Sequence, residues 1–87
     1  MEKLNYETNQ ANYYYQDYEK EELEAKYDSR KSFYKKAFVI YLDSNTILLQ
    51  SYNTIVAHIK NGKFTTYGKY SNTTSRHQRE FELQFAY

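Results

Sequence analysis

Residues 71–79 combine hydroxyl side chains with three basic ones, a pattern that suits the binding of an anion. The segment reads Ser-Asn-Thr-Thr-Ser-Arg-His-Gln-Arg and lies where a C-terminal helix is expected to begin. The first turn of a helix carries free backbone N–H groups and the positive end of the helix dipole, so basic residues are unfavourable there. A phosphate or carboxylate would relieve that repulsion. The predicted anion-binding residues of this segment are Thr73, Thr74, Ser75, Arg76, His77 and Arg79.

The same segment also has a structural interpretation. Glu80, Glu82 or an acid from the front of the chain could supply the counter-charge, with His77 packed on the apolar side of the helix. A nuclease that uses His77 as a general acid–base is a further alternative, but the sequence places no second acid or base beside it. We therefore predict a protein that is not an enzyme.

A second group of basic and aromatic residues is expected on one face of a β-hairpin. Lys60, Lys63 and Tyr67 share this face with His58, and Lys69 follows the hairpin. Rings beside basic side chains suit single-stranded nucleic acid, since rings stack on bases and cations neutralise phosphates. The structural alternative is an ordinary solvated sheet face, because the chain has no RNP-type RNA-binding motif.

The front of the chain is acidic and rich in tyrosine. Residues 1–29 hold eight acidic and three basic residues, a net charge of −5, whereas residues 30–87 have a net charge of +6. Carboxylates beside tyrosine can imitate a nucleic-acid backbone or dock on a basic groove of another protein. The alternative is a tyrosine-rich core with incidental exposure. The predicted partner-binding residues are Tyr13, Tyr14, Asp17, Tyr18, Glu21, Glu22 and Glu24.

The elements that must position these residues follow from composition and spacing. A segment without glycine or proline predicts an amphipathic helix over residues 8–29; disorder in isolation is the alternative for residues 5–18, which are rich in asparagine, glutamine and tyrosine. A closing helix is predicted over residues 73–85, with a buried side that includes His77. Ser75 and Gln78 form a capping-box pattern, and Thr73 or Thr74 could equally be the cap. The predicted strands cover residues 38–42, 46–50, 54–60 and 63–67. This order predicts a single α+β domain over residues 1–87: an acidic helix (1–32), a four-stranded antiparallel sheet (33–70) and a short C-terminal helix (71–87).

The pair Asn61-Gly62 is the strongest hairpin signal, because a type I′ turn needs positive φ at both of its central residues. A two-residue turn sets the register, with Lys60 opposite Lys63. The face predicted to be buried holds Ile55, Ala57, Ile59, Phe64 and Thr66, and the other holds Val56, His58, Lys60, Lys63, Thr65 and Tyr67.

Composition excludes several classes of protein. The 87 residues include no cysteine and two histidines, which excludes disulfide frameworks, thiol nucleophiles and multi-histidine metal centres. No apolar run reaches the roughly 20 residues that a membrane span needs, and the first residues lack the apolar stretch of a signal peptide. We expect a cytoplasmic protein with no cofactor, no metal and no membrane partner.

Three stretches carry a resemblance to a known group of proteins. They are residues 51–57 (SYNTIVA), residues 60–63 (KNGK) and residues 70–81, which contain TTSRH and end in Glu-Phe. Over about residues 48–85 the chain resembles a family of small proteins of unassigned function from phages and mobile elements of Gram-positive bacteria. The resemblance implies no catalytic residues. Small acidic-faced proteins of such genomes often resemble anti-CRISPR and other anti-defence inhibitors.

These observations lead to two functional hypotheses. The first is a phage-type inhibitor, acting in the cytoplasm of the host cell, whose acidic helix competes with nucleic acid for a host protein or ribonucleoprotein such as a CRISPR effector. The alternative is a module that binds RNA or single-stranded DNA through the basic helix start and sheet face. The sequence predicts no oligomeric state.

Overall fold

A computed structural model describes residues 6–29, 32–68 and 71–86. Within them, five antiparallel strands lie side by side in the order in which they follow along the chain. The strands are β1 (Glu19–Glu22), β2 (Ala37–Asp43), β3 (Thr46–Ser51), β4 (Thr54–Lys60) and β5 (Lys63–Thr66), and the helices are α1 (Ala11–Tyr14) and α2 (Asn72–Phe85). Lys69, assigned above to the basic hairpin, lies outside the described residues.

The α+β class is confirmed, but the predicted helix over residues 8–29 is wrong. Only Ala11–Tyr14 is helical there, and Glu19–Glu22 forms a strand paired with β2, so the sheet has five strands rather than four. As a helix, residues 8–29 would have had to pack on the sheet mainly through tyrosine rings, because Leu23 is their one large aliphatic side chain. The strand instead supplies hydrogen bonds along the edge of β2, and Leu23, which follows it, is buried in the core.

The hairpin at Asn61-Gly62 is confirmed. The two residues have φ values of 53° and 81°, as a type I′ turn requires. Lys60 lies opposite Lys63, and His58 lies opposite Thr65, in the predicted register. The four predicted strands agree with β2 to β5 to within one residue at each end.

A β-bulge in β4 reverses the predicted faces of two residues. Leu49 lies opposite Ala57, but its neighbour Gln50 lies opposite Ile55, so Val56 is the extra residue between them. Val56 consequently packs in the core on the α2 side of the sheet, and Ile55 packs on the opposite side. The prediction placed them the other way round, because a bulge leaves no mark in the alternation of apolar residues.

Both faces of the sheet are covered. α2 packs against β3 and β4 on one face, where Leu23, Val39 and Phe81 are buried. The opposite face, predicted to be open to solvent, is covered by the segment from Tyr6 to Tyr15, with Ala11 fully buried. The prediction is wrong because this face also carries aliphatic side chains, which are stabilised by burial. These side chains are Ile40, Leu48 and Ile55.

α2 begins one residue before the predicted start, and its cap differs from the predicted one. The hydroxyl of Ser71 accepts a hydrogen bond from the backbone N–H of Thr74 at 3.3 Å, so Ser71 is the N-cap and Ser75 lies inside the helix. The predicted buried side is present: His77 and Phe81 have no exposed surface, and Phe85 packs at its end.

Candidate functional site

The seven residues predicted to bind a partner are all exposed. They form a strip along α1, the loop after it and β1, here called the acidic–tyrosine strip. The rings of Tyr13 and Tyr14 are 67% and 61% exposed and contact each other edge to face, with centroids 5.3 Å apart. Tyr18 is 43% exposed. The residues of the strip are therefore exposed even though they lie on a short helix, a loop and a strand and not on one long helix. Its members are Tyr13, Tyr14, Asp17, Tyr18, Glu21, Glu22 and Glu24.

The tyrosine end of the strip is anchored to the sheet. The backbone N–H of Ala11 donates to the carbonyl of Asn53 at 3.0 Å, and that of Asn12 donates to the Asn53 side chain at 2.6 Å. The side-chain oxygen of Asn12 accepts hydrogen bonds from Lys20 Nζ at 3.0 Å and from Gln50 Nε2 at 2.8 Å. These contacts hold the backbone of α1 in place, so little backbone freedom is lost when its exposed rings bind.

Two glutamates of β1 are oriented by hydrogen bonds. Glu21 accepts a hydrogen bond from the hydroxyl of Tyr41, and burial together with this carboxylate raises the pKa of Tyr41 to about 12. Glu22 accepts the backbone N–H of Lys35 at 2.9 Å. Asp17 and Glu24 are exposed, and Glu24 approaches Lys26 only at 3.9 Å, a contact between exposed side chains that stabilises little.

A hollow of about 250 Å³ lies beside the strip, between β1 and the C-terminal end of α2. Its acidic part is formed by Glu21, Glu22 and Glu24, its apolar part by Leu23, Val39 and Phe85, and Lys26, Tyr27 and Gln84 complete the lining. The three carboxylates outnumber the one ammonium group, so the lining keeps a net negative charge. Carboxylates next to an apolar wall suit a side chain with an aliphatic stem and a cationic head, as in lysine or arginine.

The predicted anion site at the start of α2 is not assembled. His77 and Thr74 are buried, and both contact the hydroxyl of Ser51, which lies 2.8 Å from His77 Nδ1 and 3.1 Å from the Thr74 hydroxyl. Arg76 lies 3.8 Å from the carboxylate of Asp28, so an acid from the front of the chain supplies its counter-charge. Two of these three residues thus face the core and not the surface, and anion binding by this segment stays a prediction. Thr73, Ser75 and Arg79 are exposed.

His77 is a core residue whose pKa lies well below its ordinary value. Its ring meets Phe33 edge to face at 4.6 Å, and its Nδ1 is hydrogen bonded to Ser51. Burial lowers the pKa of His77 from 6.5 to about 4; Asp28 opposes this shift, and Lys36 adds to it. His77 is therefore uncharged at neutral pH and does not reach a ligand at the surface.

The hairpin residues are divided between surface and interior. Lys63 is exposed and Lys60 partly so, on the sheet face away from α2. Tyr67, predicted to stack on bases, instead accepts the backbone N–H of Tyr6 at 3.4 Å and is hydrogen bonded to the ring of His58. Burial raises the pKa of Tyr67 to about 12. The Tyr67 ring is thus partly covered by the front segment, and nucleic-acid binding by this sheet face stays a prediction.

Sequence reasoning missed two features. The first is Glu80, which is buried and accepts backbone N–H groups of residues 26–28. Its spacing from His77 and Gln84 places it on the buried side of α2, so helical periodicity could have found it. The second is a pair of exposed tyrosines, Tyr34 and Tyr52, at positions of positive φ. No sequence signal marks them, because positive φ is typical of glycine or asparagine.

The fold and the strip define a small α+β protein with a five-stranded antiparallel meander and an acidic edge strand. The chain belongs to a family of unknown function, DUF8033, whose family model matches residues 21–87. The match takes in most of the fold and begins within β1, leaving the tyrosine end of the strip before it. No curated protein and no solved structure matches the chain. No helix in the described part of the chain is long and apolar enough to cross a membrane.

Proposed function

We propose that the chain is a non-enzymatic protein-binding module whose acidic–tyrosine strip docks on a basic, nucleic-acid-binding surface of a partner protein. The observation that carries this proposal is the combination of exposed carboxylates and anchored tyrosines with the acidic hollow beside them. No catalytic step is assigned, because the His77 ring is buried, is uncharged at neutral pH and has its Nδ1 hydrogen bonded to the hydroxyl of Ser51.

The strip has two parts with different contributions to binding. Tyr13, Tyr14 and Tyr18 offer rigid rings with a polar edge, the kind of side chain that dominates protein interfaces. The carboxylates attract a basic surface from a distance and fix its orientation, so they act mainly on the association rate and on specificity. The hollow fits one lysine or arginine of that surface.

We propose that the partner is a nucleoprotein and that the chain competes with its nucleic acid. The carboxylates of β1, which alternate between the two sides of this edge strand, present negative charge to a groove built for phosphates. The resemblance of residues 48–85 to mobile-element proteins favours a host defence complex, such as a CRISPR effector, as the first partner to test. The alternative, nucleic-acid binding at the helix start and the hairpin face, has less support, since Thr74, His77 and Tyr67 are engaged inside the fold.

A capture experiment with matched charge variants tests this proposal. The immobilised chain is incubated with nuclease-treated lysate of a Gram-positive bacterium, and the retained proteins are quantified for the original chain and for Asp17→Asn/Glu24→Gln. These two acids are chosen because, unlike Glu21 and Glu22, they accept no hydrogen bond that orders another element. We expect the variant to retain the specific partner at least about tenfold less well. Excess polyanionic nucleic acid should release that partner from the original chain.

The control is Asp43→Asn/Glu82→Gln, which removes the same charge from acids outside the strip. Equal loss in both variants would indicate a general charge effect and contradict the assignment of the strip. Retention that disappears after nuclease treatment would show that nucleic acid bridges the two proteins, which also contradicts the proposal.

A further inference from the structure

Two exposed tyrosines and two exposed lysines lie together at the end of the sheet near the start of α2. They are Tyr34, Lys35, Lys36 and Tyr52, here called the aromatic–basic corner. Tyr34 is 67% exposed and Tyr52 is 50% exposed. Lys36 Nζ lies 5.7 Å from the centre of the Tyr52 ring, so the loop before β2 and the turn between β3 and β4 meet there.

The backbone of the corner is held in a conformation that its residues disfavour. Tyr34, Lys35 and Tyr52 have φ values of 54°, 62° and 58°. Side chains with a Cβ rarely adopt this left-handed region, and glycine would adopt it without strain. Tyr52 is the first of two residues in the turn between Ser51 and Thr54, a position of positive φ that commonly holds glycine. Strained residues of this kind cluster at binding sites.

Hydrogen bonds fix the corner and direct its side chains outward. The backbone N–H of Tyr34 donates to the hydroxyl of Ser32 at 2.9 Å, and that of Lys35 donates to Glu22 at 2.9 Å. The N–H of Tyr52 donates to the carbonyl of Lys36 at 2.7 Å. The backbone N–H groups are therefore hydrogen bonded within the protein, whereas the side chains of Tyr34 and Tyr52 are at least half exposed.

The charge around the corner is suited to an anion. Lys35 and Lys36 are both exposed, and Lys36 is close enough to His77 to contribute to lowering its pKa. Glu22 lies at the edge of the corner, where its exposed carboxylate accepts the Lys35 N–H at 2.9 Å, so one negative charge lies beside the two lysines. Asp28 is paired with Arg76. The corner therefore brings two lysines together with two exposed tyrosines, of which Tyr52 also has its ring 6.2 Å from the ring of His77.

We propose that the aromatic–basic corner binds single-stranded nucleic acid, with Tyr34 and Tyr52 stacking on bases and Lys35 and Lys36 neutralising phosphates. Open rings beside point charges match this ligand, because every base has a face for stacking and every nucleotide a phosphate. The corner adjoins the acidic–tyrosine strip at Glu22, which accepts the Lys35 N–H, but the two share no residue, and this inference does not depend on the function proposed for the strip.

Fluorescence anisotropy with a labelled oligothymidylate of about twelve nucleotides, at about 50 mM salt, tests the proposal. Tyr34→Gly and Tyr52→Gly each remove a ring and relieve the strained φ, so we expect each to keep the fold while its Kd rises about fivefold or more. Asn61→Gly is the matched control, because it relieves a φ of 53° in the distant hairpin and should leave the Kd unchanged. Circular dichroism of each variant checks the fold, and Tyr34→Gly remains informative if Tyr52→Gly unfolds.

A charge comparison locates the site. Lys35→Gln/Lys36→Gln should weaken binding and reduce its salt dependence, whereas Lys60→Gln/Lys63→Gln, with the same loss of charge on the hairpin, should not. The strip variant Asp17→Asn/Glu24→Gln should bind the oligothymidylate at least as well as the original chain. Because the same variant is expected to lose the protein partner, the two proposals can fail independently. Absence of binding at low salt, equal affinity for duplex DNA, or equal loss in the two lysine variants would overturn the proposal.

Discussion

Both carboxylate oxygens of Glu80 accept the backbone N–H of Tyr27, at 2.9 and 3.0 Å. The same carboxylate accepts the N–H of Lys26 at 3.0 Å and that of Asp28 at 2.9 Å, as well as the side chain of Gln84 at 2.6 Å. Glu80 is 1% exposed. A buried charge is tolerated where several donors satisfy it, and here it ties the loop after β1 to the middle of α2.

Replacing this carboxylate should strongly destabilise the protein. In Glu80→Gln one acceptor oxygen becomes an NH₂ group that faces backbone donors, so buried N–H groups lose their partners. We expect the free energy of unfolding to fall by about 3 kcal/mol, measured by urea denaturation. Hydrogen exchange should accelerate at the amides of residues 26–28 in particular.

Glu82→Gln, on the same helix but partly exposed, is the control and should change stability by less than about 0.5 kcal/mol. Equal effects of the two substitutions would mean that Glu80 contributes only a surface charge.

The lowered pKa of His77 makes stability depend on pH. The unfolded chain takes up a proton near pH 6.5, whereas the folded chain takes it up only near pH 4. The stabilisation is therefore complete above about pH 6.5 and is lost as the pH falls from there towards 4, by about 1.4 kcal/mol per pH unit. His58, whose pKa is lowered mainly by burial, adds to the loss in the same direction.

NMR titration of the two histidine rings measures this effect directly, and His58→Gln assigns the signals. The His77 signals should titrate near pH 4 in the folded protein. A midpoint near 6.5 would show that the ring is accessible to solvent and would contradict its place in the core.

The contact of Ala11 with the sheet can be tested by placing a charge there. Ala11 is fully buried beside Ile40, Leu48 and Ile55. Ala11→Asp would put a carboxylate into this apolar cluster, and we expect it to lower the free energy of unfolding by at least about 2 kcal/mol or to detach the front segment. Gln10→Asp, at the exposed neighbouring position, should have little effect on stability. Equal stability of the two variants would mean that the segment does not cover the sheet.

The sequence predicted the central hairpin and the last helix well because both depend on local rules. Asn61-Gly62 determines its turn and register through φ alone, and the spacing of His77, Phe81 and Phe85 identifies the buried side of α2. The structural interpretation of His77 and Arg76, core packing and an internal counter-charge, is the one that the contacts with Ser51 and Asp28 support.

The front of the chain could not be predicted in the same way. Glu19–Glu22 contains no apolar residue and no alternation, so only its pairing with the edge of β2 makes it a strand. The bulge at Val56 likewise depends on the neighbouring strand β3. The set of N–H groups around Glu80 joins residues more than fifty positions apart along the chain. Each of these features depends on tertiary contacts, which local secondary-structure propensity does not contain.

β1 lies at one end of the strand order, and three of its four residues are glutamates. If two copies placed these strands edge to edge, any register that paired at least three of the four residues would set like charges directly opposite each other, which is destabilising. A strand from another protein with lysine or arginine at alternate positions would instead meet complementary charge and unpaired backbone groups. The glutamates thus disfavour the chain's own copies as a sheet extension at this edge, and a basic strand would meet no such repulsion there.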